Sequence, residues 1–127
     1  MKFHLQSPAL NLVTGTGPGW VRVGTTEYRD NVVLLPDRVI EGFAPHGFAA
    51  LGEGDYAALL EHAPEMVLLG TGERQRFPHP RLTQSLAAAR VGVEAMDTRA
   101  ACRTFNILVA EDRRVAAALI VRQDAVA

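Results

Sequence analysis

Cysteine is almost missing from this chain. Cys102 stands alone in 127 residues, so no disulfide can form within it, and such a composition suits a reducing compartment. Lysine is equally scarce: Lys2 is the only one, and the remaining basic residues are arginines. The balance of 13 Lys+Arg against 14 Asp+Glu gives a net charge of −1, which excludes the basic footprint of a nucleic-acid-binding domain. Aromatic residues make up 6%, too few for a platform on which bases stack. No apolar run reaches the roughly 18 residues of a membrane span. Residues 1–13 have neither the apolar stretch of a signal peptide nor the arginine-rich amphipathic pattern of a mitochondrial presequence. The expected setting is therefore bacterial cytoplasm, with no transmembrane segment. The histidines His4, His46, His62 and His79 fit no zinc spacing, and with one cysteine the sequence predicts no metal and no cofactor.

What is present is ordinary globular material, 48% hydrophobic and 21% charged. A chain of this length buries roughly two-thirds of its unfolded surface, enough for one core. Residues 1–19 read as a flexible lead-in and residues 20–127 as a single domain. The lead-in ends in Thr14-Gly15-Thr16-Gly17-Pro18-Gly19. Those glycines would suit a phosphate loop, but no strand precedes them, Pro18 removes a backbone donor, and no Gly-Lys-Ser/Thr follows.

Residues 20–28 alternate as one strand, residues 32–35 form a second stopped by Pro36, and Val39 and Ile40 suggest a third. Residues 41–54 carry Gly42, Pro45, Gly47, Gly52 and Gly54 and read as loop. A helix opens at Asp55, its capping residue, with Tyr56, Leu59, Leu60 and Ala63 on the buried face; Pro64 ends it. Residues 66–69 form an apolar strand. Pro80 starts another helix, with Leu82, Leu86 and Ala89 inward. Residues 91–96 form a strand, and Asp97 or Thr98 caps the following helix. There Ala101, Phe105 and Leu108 make the buried stripe with Val109 beside it, and Arg99, Arg103 and Asn106 lie on another face. Residues 111–114 are a solvated charged turn, and residues 115–121 read as a central strand. The class is α/β: a small β meander plus a mixed sheet flanked by helices.

Sites in such sheets gather at the carboxyl ends of the strands. Two ends stand out, Gly70-Thr71-Gly72 and Asp97-Thr98. If their strands are parallel neighbours, both open on one edge. Glycine amides, the start of the helix near Thr98, and Arg74, Arg76 and Arg103 would then favour an anion. The alternative is that the glycines shape a tight strand exit and that Asp97 and Thr98 are helix caps. Cys102, in the first turns of a helix beside Arg103, is either a thiolate nucleophile or a small buried hydrophobe. Asp97 is the best-placed carboxylate for acid–base work, with capping as its other reading. Pro78-His79-Pro80 is a stiff connector near the Gly-Thr-Gly turn.

Residues 68–72, then Gly92-Val93-Glu94-Ala95-Met96-Asp97-Thr98, then Ala100-Ala101-Cys102-Arg103-Thr104-Phe105-Asn106, then residues 115–119 resemble, in that order, a domain family of unknown function. Its members include mitochondrial complex I assembly factor three and the adipogenesis-associated MTH-type domain protein. The resemblance covers residues 20–121. It implies a three-layer MTH-like fold with the last strand antiparallel to its neighbours, and interaction or assembly work instead of an established catalytic centre. Phe105 stands where the family usually has tyrosine, and Gly42-Phe43 where it often has tryptophan. The matched positions Gly70, Thr71, Gly72, Asp97, Thr98, Arg103, Thr104 and Asn106 are the candidate ligand-binding residues.

Two functions follow as expectations. One is a non-enzymatic interaction protein with an unidentified protein partner. The other is a binder of a small anionic metabolite, or a weak enzyme, at the Gly70–Gly72 and Asp97–Thr98 strand ends. Nucleic-acid binding is disfavoured by charge and by the shortage of aromatics, and oligomeric state is left open.

Overall fold

Strand pairing sorts the chain into two sheets. The computed structural model describes residues 10–123. Strands β1 (Val13–Gly17), β2 (Trp20–Val23) and β3 (Thr26–Tyr28) form an antiparallel sheet in sequence order. Strands β4 (Val32–Leu35), β5 (Arg38–Glu41), β6 (Met66–Gly70), β7 (Gly92–Met96) and β8 (Val115–Leu119) form the larger sheet, in the order β5-β4-β8-β6-β7.

The larger sheet is mixed. β4 is antiparallel to β5 and β8, while β6 is parallel to both β8 and β7. The expectation that the last strand opposes its neighbours therefore holds on the β4 side and fails on the β6 side. The reason is the connection: helix α3 (Thr98–Ala110) follows β7 and carries the chain back to the start of the sheet, so β8 re-enters in the direction of β6, as a helical crossover requires.

The period of two in the strands divides the core. Val32, Leu34, Val115, Ala117 and Leu119 point to one face, where Ala101, Cys102, Phe105 and Val109 of α3 meet Val21 and Val23 of the small sheet. Val33, Leu35, Ala116, Ala118 and Ile120 point to the other, under Tyr56 of α1 (Glu53–Ala57) and Leu86 of α2 (Gln84–Ala88). Three layers result. β8 is covered on both faces and paired on both edges, which is why it is apolar throughout and buried throughout.

Several local expectations change. Residues 20–28 are a hairpin and not one strand, because Gly24 takes φ 58° and turns the chain between Val23 and Thr26, a conformation glycine enters without strain. The expected lead-in contains β1, paired to β2 from Val13↔Val23 to Gly17↔Trp20; residues 1–9, including His4, lie outside the described residues. β4 and β5, grouped by sequence with the meander, belong to the large sheet.

The first helix starts earlier and ends sooner than its pattern suggests. Gly52 is its N-cap, and the Asp55 carboxylate reaches back to accept from the Gly52 N–H at 2.7 Å. The chain continues as a 3-10 turn over Ala58–His62 and stops at Ala63, which is left-handed at φ 50° and exposed. Ala89 is exposed as well, and Cys102 joins the buried stripe of α3 while Leu108 is half-buried.

Candidate binding cleft

The parallel pairing of β6 and β7 brings the two candidate turns to one edge, with Gly70 opposite Met96. A hydrogen-bonded frame then locks three strand ends together. Thr71 N–H donates to Met96 O (2.9 Å), Thr98 N–H to Gly72 O (2.9 Å) and Ile120 N–H to Gly70 O (2.8 Å). The Thr98 hydroxyl is its hub, accepting from Gly72 N–H (2.8 Å) and donating to Ile120 O (2.7 Å). A side chain at Gly70 has no room: its Cβ would lie 2.8 Å from Leu119 Cδ2 and 3.1 Å from Thr98 Cα. Glycine there serves the close approach of α3.

Thr71 is fully buried, and its hydroxyl lies 2.8 Å from Arg74 O and accepts from Arg76 N–H at 2.9 Å. The Arg76 guanidinium turns back onto Thr71 O (Nη2, 2.6 Å) and covers the Phe48 ring at 4.6 Å. Asp97 is the true N-cap of α3, accepting from Ala100 N–H at 2.8 Å. With Thr98 N–H and Ala101 N–H also engaged, Arg99 N–H alone among the first-turn amides has no hydrogen-bond partner in the described residues. Polar atoms that would have made an anion nest are therefore mostly spent on the frame.

Above the frame lies an open cleft of about 980 Å³, bounded by residues 16–21 of the small sheet and by residues 71–74, Arg76, 97–99 and 120–123. Of the expected residues, Thr71, Gly72, Asp97 and Thr98 line it, and Gly70 sits beneath. Arg103, Thr104 and Asn106 lie outside it. The Asn106 carboxamide accepts from Val13 N–H and donates to Val13 O, both at 2.8 Å, and so ties β1 to α3. Thr104 donates to Ala100 O within its own helix (3.0 Å), and Arg103 is exposed.

The lining holds four arginines, Arg74, Arg76, Arg99 and Arg122, against two carboxylates, Glu73 and Asp97. Arg122 is engaged by Asp30 (2.9 Å) and Pro45 O (2.8 Å), and Glu73 accepts from Gln123 (2.9 Å). Arg74 and Arg99 are exposed, and their guanidinium groups have no partner among the described residues. Sequence reasoning passed over Arg99, Arg122 and the whole 16–21 wall. The available signal was Trp20 directly after the glycines: its indole lies across Gly17, where a side chain would collide with it, and reaches Gly15, where Arg22 is the nearer obstacle.

Cys102 is no nucleophile of this cleft. It is 2% exposed, and burial pushes its thiol up to about 12, outweighing the opposing pull of Arg103. Among the described residues no histidine joins a cluster that could hold a metal: His62 Nδ1 is 3.4 Å from Arg38, and His79 Nδ1 accepts from Arg81 N–H. The expected solvated turn at 111–114 is partly tied down, since the Glu65 carboxylate accepts from the Arg113 guanidinium (2.9 Å) and from Arg114 N–H (3.0 Å).

Fold and site together define a three-layer α/β protein with an open cleft where its parallel strands end. The chain belongs to the family described as "Protein of unknown function (DUF498/DUF598)", whose profile matches residues 13–120. It is 35% identical over 97 residues to the zebrafish (Danio rerio) "NADH dehydrogenase [ubiquinone] 1 alpha subcomplex assembly factor 3", covering 76% of this chain and 56% of that protein. It is 39% identical over 62 residues to a "13 kDa major membrane protein" of Francisella tularensis, covering 49% of this chain and 50% of that one. These matches span about half the length of the relatives concerned. A crystal structure from Bordetella parapertussis superposes with a TM-score of 0.82 at 39% identity, over 91% of this chain and 98% of that one. A solution structure from Bordetella pertussis, called an Mth938-like domain, gives 0.69 at 34% identity over 99% and 96%. The family and the MTH-like fold inferred from the 92–98 and 100–106 motifs are thus the right ones. Among the described residues no helix is long and apolar enough to cross a membrane.

Proposed function

We propose that this is a non-enzymatic interaction protein of the assembly-factor type, working in the cytoplasm. The observation that carries the reading is how the strand-end groups are used. Thr71, Asp97 and Thr98 hold the frame, while Arg74 and Arg99 are left facing outward. Catalysis by the same edge would require a free acid, base or nucleophile there. The relative from zebrafish carries the name of an assembly factor, and the same kind of work, on a partner of its own, is what we assign to this chain. Crosslinking followed by affinity capture from cells tests it. A partner recovered reproducibly above background is the expected result, and recovery of nothing specific counts against it.

The second reading, a small anionic metabolite at Gly70–Gly72 and Asp97–Thr98, has the free Arg99 N–H in its favour. A thermal-shift screen of phosphates and carboxylates separates the two, since a ligand at 100 times its dissociation constant adds about 2.7 kcal/mol. Under the interaction reading the screen is flat.

A further inference from the structure

Resting on the interaction reading, we propose that the cleft between the two sheets is the recognition site, and that its occupant is an acidic segment of a partner protein in which carboxylates alternate with apolar side chains. Three features of the lining point there. First, it concentrates positive charge in a chain whose net charge is −1: four arginines meet two carboxylates, and both carboxylates are already hydrogen-bonded. Arg74 and Arg99 are the uncompensated pair, and a cleft with low-dielectric walls focuses the field of such charges.

Second, part of the lining away from the arginines is apolar. Pro18 and Trp20 form part of one wall, against the buried Ile120 and Val121 of the other, so a bare anion would leave the Pro18–Trp20 surface uncovered. An extended segment with alternating side chains satisfies both kinds of surface at once. Third, of the amides that favour phosphate at a helix start all but Arg99 N–H are taken, by Gly72 O, Asp97 Oδ1 and Asp97 O, and a single amide makes no phosphate nest. What remains are guanidinium forks, which pair with carboxylates in the bidentate manner.

Trp20 is the only tryptophan and lines the cleft, so its emission reports occupancy directly. The probe is an acetylated Leu-Glu-Leu-Glu-Leu amide, with the Gln-substituted peptide as its neutral match. The Glu peptide is expected to shift Trp20 emission saturably, and more weakly as salt rises. The double variant Arg74→Ala with Arg99→Ala is expected to bind about tenfold more weakly while melting as the parent does. Arg103→Ala, on α3 but outside the cleft, is expected to bind like the parent. Equal binding of the Gln peptide, or undiminished binding by the double variant, overturns the proposal. So does a Trp20 response to inorganic phosphate with none to the Glu peptide, which would make this a small-anion site. Capture separates the two levels of the argument. A partner held equally by the parent and the double variant refutes the cleft and leaves the interaction reading standing. Peptide binding without any cellular partner supports the cleft and refutes that reading.

Discussion

Replacing Asn31 with alanine is expected to destabilise the protein more than any surface change. Asn31 is 1% exposed and stands just before β4. Its Nδ2 donates to Ala44 O at 2.9 Å, and its Oδ1 accepts from Val121 N–H at 2.7 Å and Arg122 N–H at 3.0 Å. One side chain therefore satisfies the loop after β5 and the chain as it leaves β8 for the cleft wall. Alanine would leave Val121 N–H unpaired in a buried position, costing about 1–3 kcal/mol, with smaller losses at the half-buried Arg122 amide and at Ala44 O, which keeps its bond from Gly47 N–H (3.0 Å). The sum is about 2–4 kcal/mol, a large share of the 5–15 kcal/mol typical of a domain. At roughly 4 °C per kcal/mol for this length, Tm should fall by roughly 8–16 °C.

Urea unfolding followed by circular dichroism, alongside thermal melts, measures the loss. Arg122→Ala is the control. It removes an ion pair with Asp30 whose side chains are 41% and 66% exposed, and such pairs contribute under about 1 kcal/mol. If Asn31→Ala also loses less than about 1 kcal/mol, the three bonds do not hold the β8 exit, and the reasoning about the cleft wall fails with them.

Thr98→Val should lose about 1–3 kcal/mol by stranding Gly72 N–H and Ile120 O, whereas Thr98→Ser, which keeps the hydroxyl, should lose less than half of that; chemical denaturation of both variants decides it. Gly70→Ala should lose about 1–3 kcal/mol through overpacking against Leu119 and Thr98, and a melt unchanged from the parent would contradict the close contact. Cys102 should resist thiol reagents at pH 8 in the native protein and react fully once urea unfolds it; rapid native labelling would disprove its burial. Stability should also fall as pH rises from about 9 towards 12. Burial raises Cys102 and Tyr56 each to about 12, so the native state holds protons that the unfolded chain has released, and unfolding gains ground across that window. Flat alkaline stability, measured by urea midpoints, would count against it.

The sequence by itself determined the α/β class, the stretches that become its strands and helices, and the two strand-end turns, Gly70–Gly72 and Asp97–Thr98. The unbroken apolar runs of 32–35 and 115–121 mark strands buried on both faces, and the periodic stripe of 98–110 marks the inner face of a helix, because side-chain direction follows from backbone period alone. A helix cap at Asp97 or Thr98 was legible for the same local reason, whereas the parallel exit of Gly70 and Met96 was only a condition on which a shared edge depended. What only tertiary structure decided was pairing and use. No local signal says that β1 lies beside β2, that β8 inserts between β4 and β6, or that Asn106 turns away to hold Val13. The membership of the cleft was hidden too, since its walls come from residues up to 107 positions apart, Thr16 to Gln123. Gly15 and Gly17 read as looseness in the sequence because glycine is permissive. In the fold they are the floor on which the Trp20 indole rests, and that role exists only once the hairpin closes.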